Sequence, residues 1–157
     1  MSDGVRLGLF DLGFGEGERT MKLEAAASKA ISLAKAIRDY WATELPRRHP
    51  KYPFVDPNTD SGPPPPEEKQ LRRFLLRLAP ETLDKLALIM NLGREGFYTS
   101  NILPNYQSLR EEFRSSESLV SYMIDQAQLA DYLEEGMTIL KAHSIDLDKM
   151  DITTAGA

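Results

Sequence analysis

The side chains best suited to acid–base or metal chemistry near neutral pH are His49 and His143, the two histidines of the chain. Neither belongs to a Glu-x-x-His or His-x-x-x-His pair, the helical spacings that put two ligands of a di-iron or zinc centre on one face. A Ser–His–Asp triad needs no fixed spacing, but no nucleophile elbow accompanies these histidines. Set between Arg48 and Pro50 and between Ala142 and Ser144, both are expected to face solvent. The chain has no cysteine, which removes thiol nucleophiles, disulfides, iron–sulfur clusters and cysteine-ligated zinc together. Among carboxylates, Asp131 and Glu135 lie one helical turn apart and could converge as an acid–base pair or as hard-metal ligands. Asp146, Asp148 and Asp151 fail the calcium-loop pattern at Met150 and lack its glycine, so a solvated acidic tail is expected there.

Three further clusters carry possible binding chemistry. Gly13-Phe-Gly-Glu-Gly-Glu-Arg-Thr20 sits where a phosphate loop would, but Glu18 and Arg19 replace its second glycine and lysine, and the carboxylate would repel a phosphate. The turn after Leu92-Gly93-Arg94 is richer. Gly93 is read as the left-handed cap of a helix, Arg94 as a cation beside its last carbonyls, and Phe97, Tyr98 and Thr99 as a hydrogen-bonding aromatic loop. Arg94, Tyr98 and Asp131 are therefore the candidate contacts of a small ligand or partner. Lys69, Arg73 and Arg77, spaced at i, i+4 and i+8, form a basic ridge that could meet nucleic acid. The favoured reading pairs that ridge with Glu67, Glu68 or the acidic C-terminal segment, where Asp125 to Asp151 hold seven acids and two bases and account for the whole net charge of -5.

These groups must be positioned by helices. Leu23, Ala27, Ala30, Ala34, Ile37 and Trp41 recur at steps of three and four and predict one long alanine-faced helix over 21–45, able to dock on the rest of the chain or on another copy. Eight of the ten prolines fall within 46–66, predicting an extended connector that either wraps over the surface, pinned by Tyr52 and Phe54, or acts as a spacer. Beyond it, apolar periodicity predicts helices from Glu67, from Pro80 to Gly93, over Pro104–Arg114, over Ser116–Ile124 and over Ala127–Ala142. The only strand-like alternation, Val5–Phe10, is too short to build a sheet. The expected fold is all-α: a glycine-rich leader at 1–20, the long helix, the connector, a compact helical domain at 67–143 and an acidic tail at 144–157, with about six helices in all.

The segment Leu86-Ala-Leu-Ile-Met-Asn-Leu-Gly-Arg94, followed by Leu129-Ala-Asp-Tyr-Leu-Glu-Glu-Gly136, resembles the bacterial Domain of Unknown Function 3775 family over roughly residues 80–140. The chain departs from that pattern at Glu95-Gly96. The resemblance implies a small helical domain and carries no established activity, so no catalytic residue transfers. With 41% apolar and 27% charged residues, no membrane-length apolar run and no signal-like N-terminus, a cytoplasmic protein is expected. Missing catalytic constellations, an adhesive helix and a proline-rich segment lead to a non-enzymatic interaction or regulatory module, without cofactor or metal, whose partner is a protein or a second copy. The rival expectation is a small-molecule site or enzyme pocket near Arg94, Tyr98 and Asp131. Nucleic-acid binding through the ridge is the weaker alternative.

Overall fold

The structure, a computed structural model, describes residues 21–59, 62–96 and 99–149. The leader at 1–20, the Val5–Phe10 alternation, the glycine loop and the last residues of the tail lie outside them. Among the described residues the chain forms six α-helices and no strand: α1 (Leu23–Arg48), α2 (Pro66–Arg77), α3 (Pro80–Glu95), α4 (Ile102–Glu112), α5 (Ser116–Ile124) and α6 (Leu129–Ala142), with short 3₁₀ turns at Thr99–Asn101 and Leu147–Lys149. The chain is an all-α helical bundle. None of the described helices is long and apolar enough to cross a membrane.

α3 is the central element. Leu83, Leu86, Ala87, Leu88, Ile89, Met90 and Leu92 are all buried, so its apolar surface extends around most of the helix and must be covered on several sides. α6, α4, α5 and α1 cover it, and the α3–α6 pairing is the most extensive in the molecule. Pro66 and Pro80 open α2 and α3 at positions where a missing amide costs nothing. Ser115 caps α5, its Oγ accepting the Ser118 amide at 3.1 Å.

The α3–α6 crossing explains both glycines of the family-like segments. A Cβ on Gly93 would overlap the Tyr132 carbonyl oxygen and stand 2.8 Å from the Gly136 amide nitrogen, and a Cβ on Gly136 would overlap the Ile89 carbonyl oxygen. Each helix thus presents bare backbone to the other. Gly93 is therefore not the cap that its neighbours suggested. The helix continues three residues further and ends on Gly96, whose φ of 66° is left-handed and whose amide donates to the Leu92 carbonyl at 2.8 Å.

The long helix also differs from expectation at its end. It runs through Pro46 to Arg48 instead of stopping at 45. Proline there removes only the donor to the Ala42 carbonyl, and Ala42 is solvent-exposed, so water can replace the lost bond. One consequence is that His49, expected in solvent, is only 2% exposed at the helix terminus. The connector does not begin as an extended strap: Tyr52 donates to the His49 carbonyl and Phe54 to the Lys51 carbonyl, both at 2.9 Å, folding 49–54 into turns. Nor do Tyr52 and Phe54 pin it, being 45% and 67% exposed. The Tyr40 hydroxyl does so, donating to the Pro63 carbonyl at 2.9 Å.

The alanine stripe docks on its own chain. Leu23, Ala26, Ala27, Ala30 and Ala34 are buried in the same core as α2, α3 and α6. Ion pairs fix the angle between α1 and α6: Lys35–Glu134 at 2.8 Å, Arg38–Asp131 at 3.1 Å and Glu24–Lys141 at 3.1 Å. All are solvent-exposed and each is worth about 0–1 kcal/mol. The acidic C-terminal helix is thus matched by Lys35 and Arg38 of α1. The start of the tail is not simply solvated either: Leu147 is buried, and the Asp148 carboxylate accepts the Leu23 amide through both oxygens at 3.2 Å, capping α1.

A polar cluster ties α4 to α3. Asp84 lies 3.9 Å from the Arg110 guanidinium, and Tyr106, buried in the core, hydrogen-bonds Asp84 and receives a bond from Arg110 at 3.3 Å. Burial pushes the Asp84 carboxyl up from the usual value of 3.8 despite the opposing pull of Arg110 and Tyr106. Protonation therefore favours the folded chain. The stabilisation is complete below the unfolded carboxyl's pKa and is lost as pH rises through the higher folded one. Asp84→Asn, which keeps the shape without the charge, is expected to be more stable than the parent at neutral pH. In urea titrations the gap should close as pH falls below about 4.

Candidate functional site

Beyond Ala34 the α1 stripe runs past the bundle that buries its first half. Ile37, Trp41 and Leu45 continue it, and they form one wall of a groove of about 570 Å³. Leu71 of α2 forms the floor side, and Ile124 to Ala127 at the α5–α6 junction, with Leu129, form the opposite wall. Tyr52 of the connector closes one end. Trp41 is steadied from behind by Tyr40, whose ring meets it edge-on at 5.0 Å between centroids. The polar groups on the lining are Arg38, Glu68, Asp125, Gln126 and the Tyr52 hydroxyl; it carries no histidine, serine or threonine. Such a surface can bind an apolar group and select for charge at its rim, and its lining pairs no serine, threonine or thiol nucleophile with an imidazole base.

Arg94 and Asp131 are not brought together around one ligand. Arg94 Nη1 donates to the Tyr122 hydroxyl and, at 3.2 Å, to Gln126 Oε1, while Nη2 pairs with Glu95 at 2.7 Å. Burial works against its charge, yet the bonds to Glu95 and Tyr122 outweigh that and raise the guanidinium above its ordinary value. The guanidinium also lies over the Tyr122 ring, 5.5 Å from its centroid. It does not serve the carbonyls of its own helix as expected; it bolts the end of α3 to the α5–α6 junction. Gln126, held by Arg94 and donating in turn to the Tyr122 carbonyl at 3.1 Å, is a groove residue. Asp131 holds Arg38, another groove residue, at 3.1 Å. Both candidates thus stand behind the groove and set one polar group of its rim each. Tyr98 lies outside the described residues.

Of the ridge, Lys69, Arg73 and Arg77 are all exposed on α2, whereas Arg72 reaches across to the Ser121 hydroxyl at 3.1 Å. No group of three or more histidines or carboxylates is placed to hold a metal among the described residues. A larger cleft of about 810 Å³ lies at the other end of the bundle, between Leu23, Lys85, Met137 and Leu147. It is rimmed by Met21 and Lys149, the described residues at the two chain ends.

Sequence reasoning found Trp41 as the end of a stripe but missed Ile124, Gln126 and Tyr52 as its companions. The usable signal was the stripe itself, which outruns the alanines that bury it. Fold and groove together define an all-α bundle protein with an apolar groove between its helices. Residues 68–141, slightly under half of the chain, match the family model described as "Protein of unknown function (DUF3775)", and this part of the chain resembles that family. The match begins in α2, so α1 and the connector, which supply Trp41 and Tyr52, lie outside it. No curated protein and no solved structure matches the chain.

Proposed function

We propose that this chain is a non-enzymatic protein-interaction module whose docking site is the groove between α1, α2 and the α5–α6 junction. One observation carries the reading: the groove sets a tryptophan and a tyrosine among aliphatic walls, with Arg38, Glu68, Asp125 and Gln126 as its charged and amide side chains. Aromatic side chains in partly buried pockets dominate the energetics of protein interfaces. Ala26, Ala27, Ala30 and Ala34 of α1 are already buried in the chain's own core, so a partner would meet only the later part of the stripe. The small-molecule reading centred on Arg94, Tyr98 and Asp131 has less support, since Arg94 and Asp131 bond separate partners.

A photoreactive side chain at Ala42, exposed on the groove wall, tests the proposal against the same group at Ser108, exposed on α4. Illumination in cells is expected to give discrete higher-mass adducts from position 42 and none from 108. Equal labelling at both positions, or none at 42, would refute a docking role for the groove.

A further inference from the structure

Large exposed apolar side chains are few among the described residues: Tyr52, Phe54, Val55 and Leu76. Three of the four fall within the connector turn at 52–55, beside the groove that Tyr52 helps to line. The turn bonds at 49–54 hold Phe54 outward, away from its own groove. Plug and socket therefore sit side by side on one surface, each without a counterpart among the described residues.

Resting on the reading of the groove as a docking site, we infer that its occupant is a second copy of this chain, with Phe54 and Val55 of each protomer seated in the groove of the other. Charge supports the pairing. Lys51 precedes the plug, while Glu68 and Asp125 stand at the groove and form no ion pair among the described residues. Symmetry supports it further. A two-fold axis makes the same patch serve both partners, so residue i meets j and j meets i. Because Tyr52 belongs to both features, one axis beside the connector satisfies both contacts at once and leaves no open end. Such a dimer forms without unfolding the alanine stripe and also covers Trp41, the sole tryptophan.

Sedimentation equilibrium on the full chain tests this, read alongside Trp41 fluorescence. The parent is expected to dimerise, with tryptophan emission moving to shorter wavelength as concentration rises. Phe54→Asp changes an exposed side chain and leaves the fold intact by circular dichroism; it should weaken the dimer by at least about tenfold. Ala127→Arg, which puts a cation into the socket opposite the partner's Lys51, should do the same. Mixing the two variants should restore association, since an intact Phe54 then meets an intact groove. A parent that stays monomeric, or a Phe54→Asp chain that still dimerises, overturns the inference. So do Ala42 adducts formed only with a different protein, an outcome that leaves the docking role of the groove standing, whereas absence of any adduct removes both.

Discussion

Gly93→Ala and Gly136→Ala should each destabilise the fold by at least about 2 kcal/mol, the reverse of what either change does in an ordinary helix. In an exposed helix interior, alanine for glycine gains up to about 1 kcal/mol from reduced chain entropy. Here the new methyl meets main chain: the Tyr132 carbonyl and Gly136 amide for residue 93, the Ile89 carbonyl for residue 136. Backbone cannot rotate away as a side chain can, so α3 and α6 must separate and loosen the leucines packed beside them, and overpacking of this kind costs about 1–3 kcal/mol or more. The two sites share one crossing, so the double variant should cost less than the sum of the singles. Gly96→Ala provides the contrast. A Cβ there meets nothing within 4 Å, and the only penalty is the left-handed φ of 66°, about 1–2 kcal/mol. Asparagine, which tolerates that conformation, should recover much of the loss at 96 and none at 93. Urea midpoints for the six variants measure all of this; a neutral Gly93→Ala would mean that the helices do not approach as closely as their backbones indicate.

The same glycines show how far local sequence goes. A glycine closing an apolar period and followed by arginine carries every local mark of a helix end, and nothing within the segment distinguishes Gly93 from Gly96. The decision belongs to α6, whose own Gly136 lies 43 positions away in sequence. Arg94 is a parallel case: local rules assign it to the carbonyls of its helix, but Tyr122 and Gln126 offer it better-aligned bonds across a tertiary contact. His49 is another: its neighbours Arg48 and Pro50 point to solvent, but the helix runs on through Pro46 and leaves the imidazole 2% exposed at its end. By contrast the number of helices, Pro80 as a helix start, and the apolar face of α3 were readable, since each depends on periodicity and dihedral restriction within the element. The groove falls between these cases. Trp41 and Ile37 were visible as a stripe, but the facing wall depends on where the α5–α6 junction lies against α1, a tertiary relation with no local trace.

Lys85→Met should cost about 2 kcal/mol, although it replaces a charged residue by an apolar one at a position only 6% exposed. Its Nζ donates to the Leu147 carbonyl at 2.6 Å and pairs with Glu81 at 3.2 Å. Methionine fills the space but leaves that carbonyl without its charge-assisted bond, and a hydrogen bond to a charged group contributes about 1.5–3 kcal/mol. More depends on this bond than one carbonyl. The turn that Lys85 holds carries Asp148, which caps the first turn of α1, and α1 has no side-chain cap of its own at Lys22. α3 thus fixes the start of α1 through a turn more than a hundred residues further along the chain from it. Asp148→Ala, removing the cap alone, should cost about 1 kcal/mol. If the turn acts as one clasp, Lys85→Met already displaces Asp148, and adding Asp148→Ala should cost little more, giving a coupling of about 1 kcal/mol in a double-mutant cycle. Amide exchange supplies the second readout: both single variants should speed exchange at Leu23, far more than at Leu86 in the core of α3. Strict additivity, or protection at Leu23 unchanged by Lys85→Met, would show that the cap stands without the lysine.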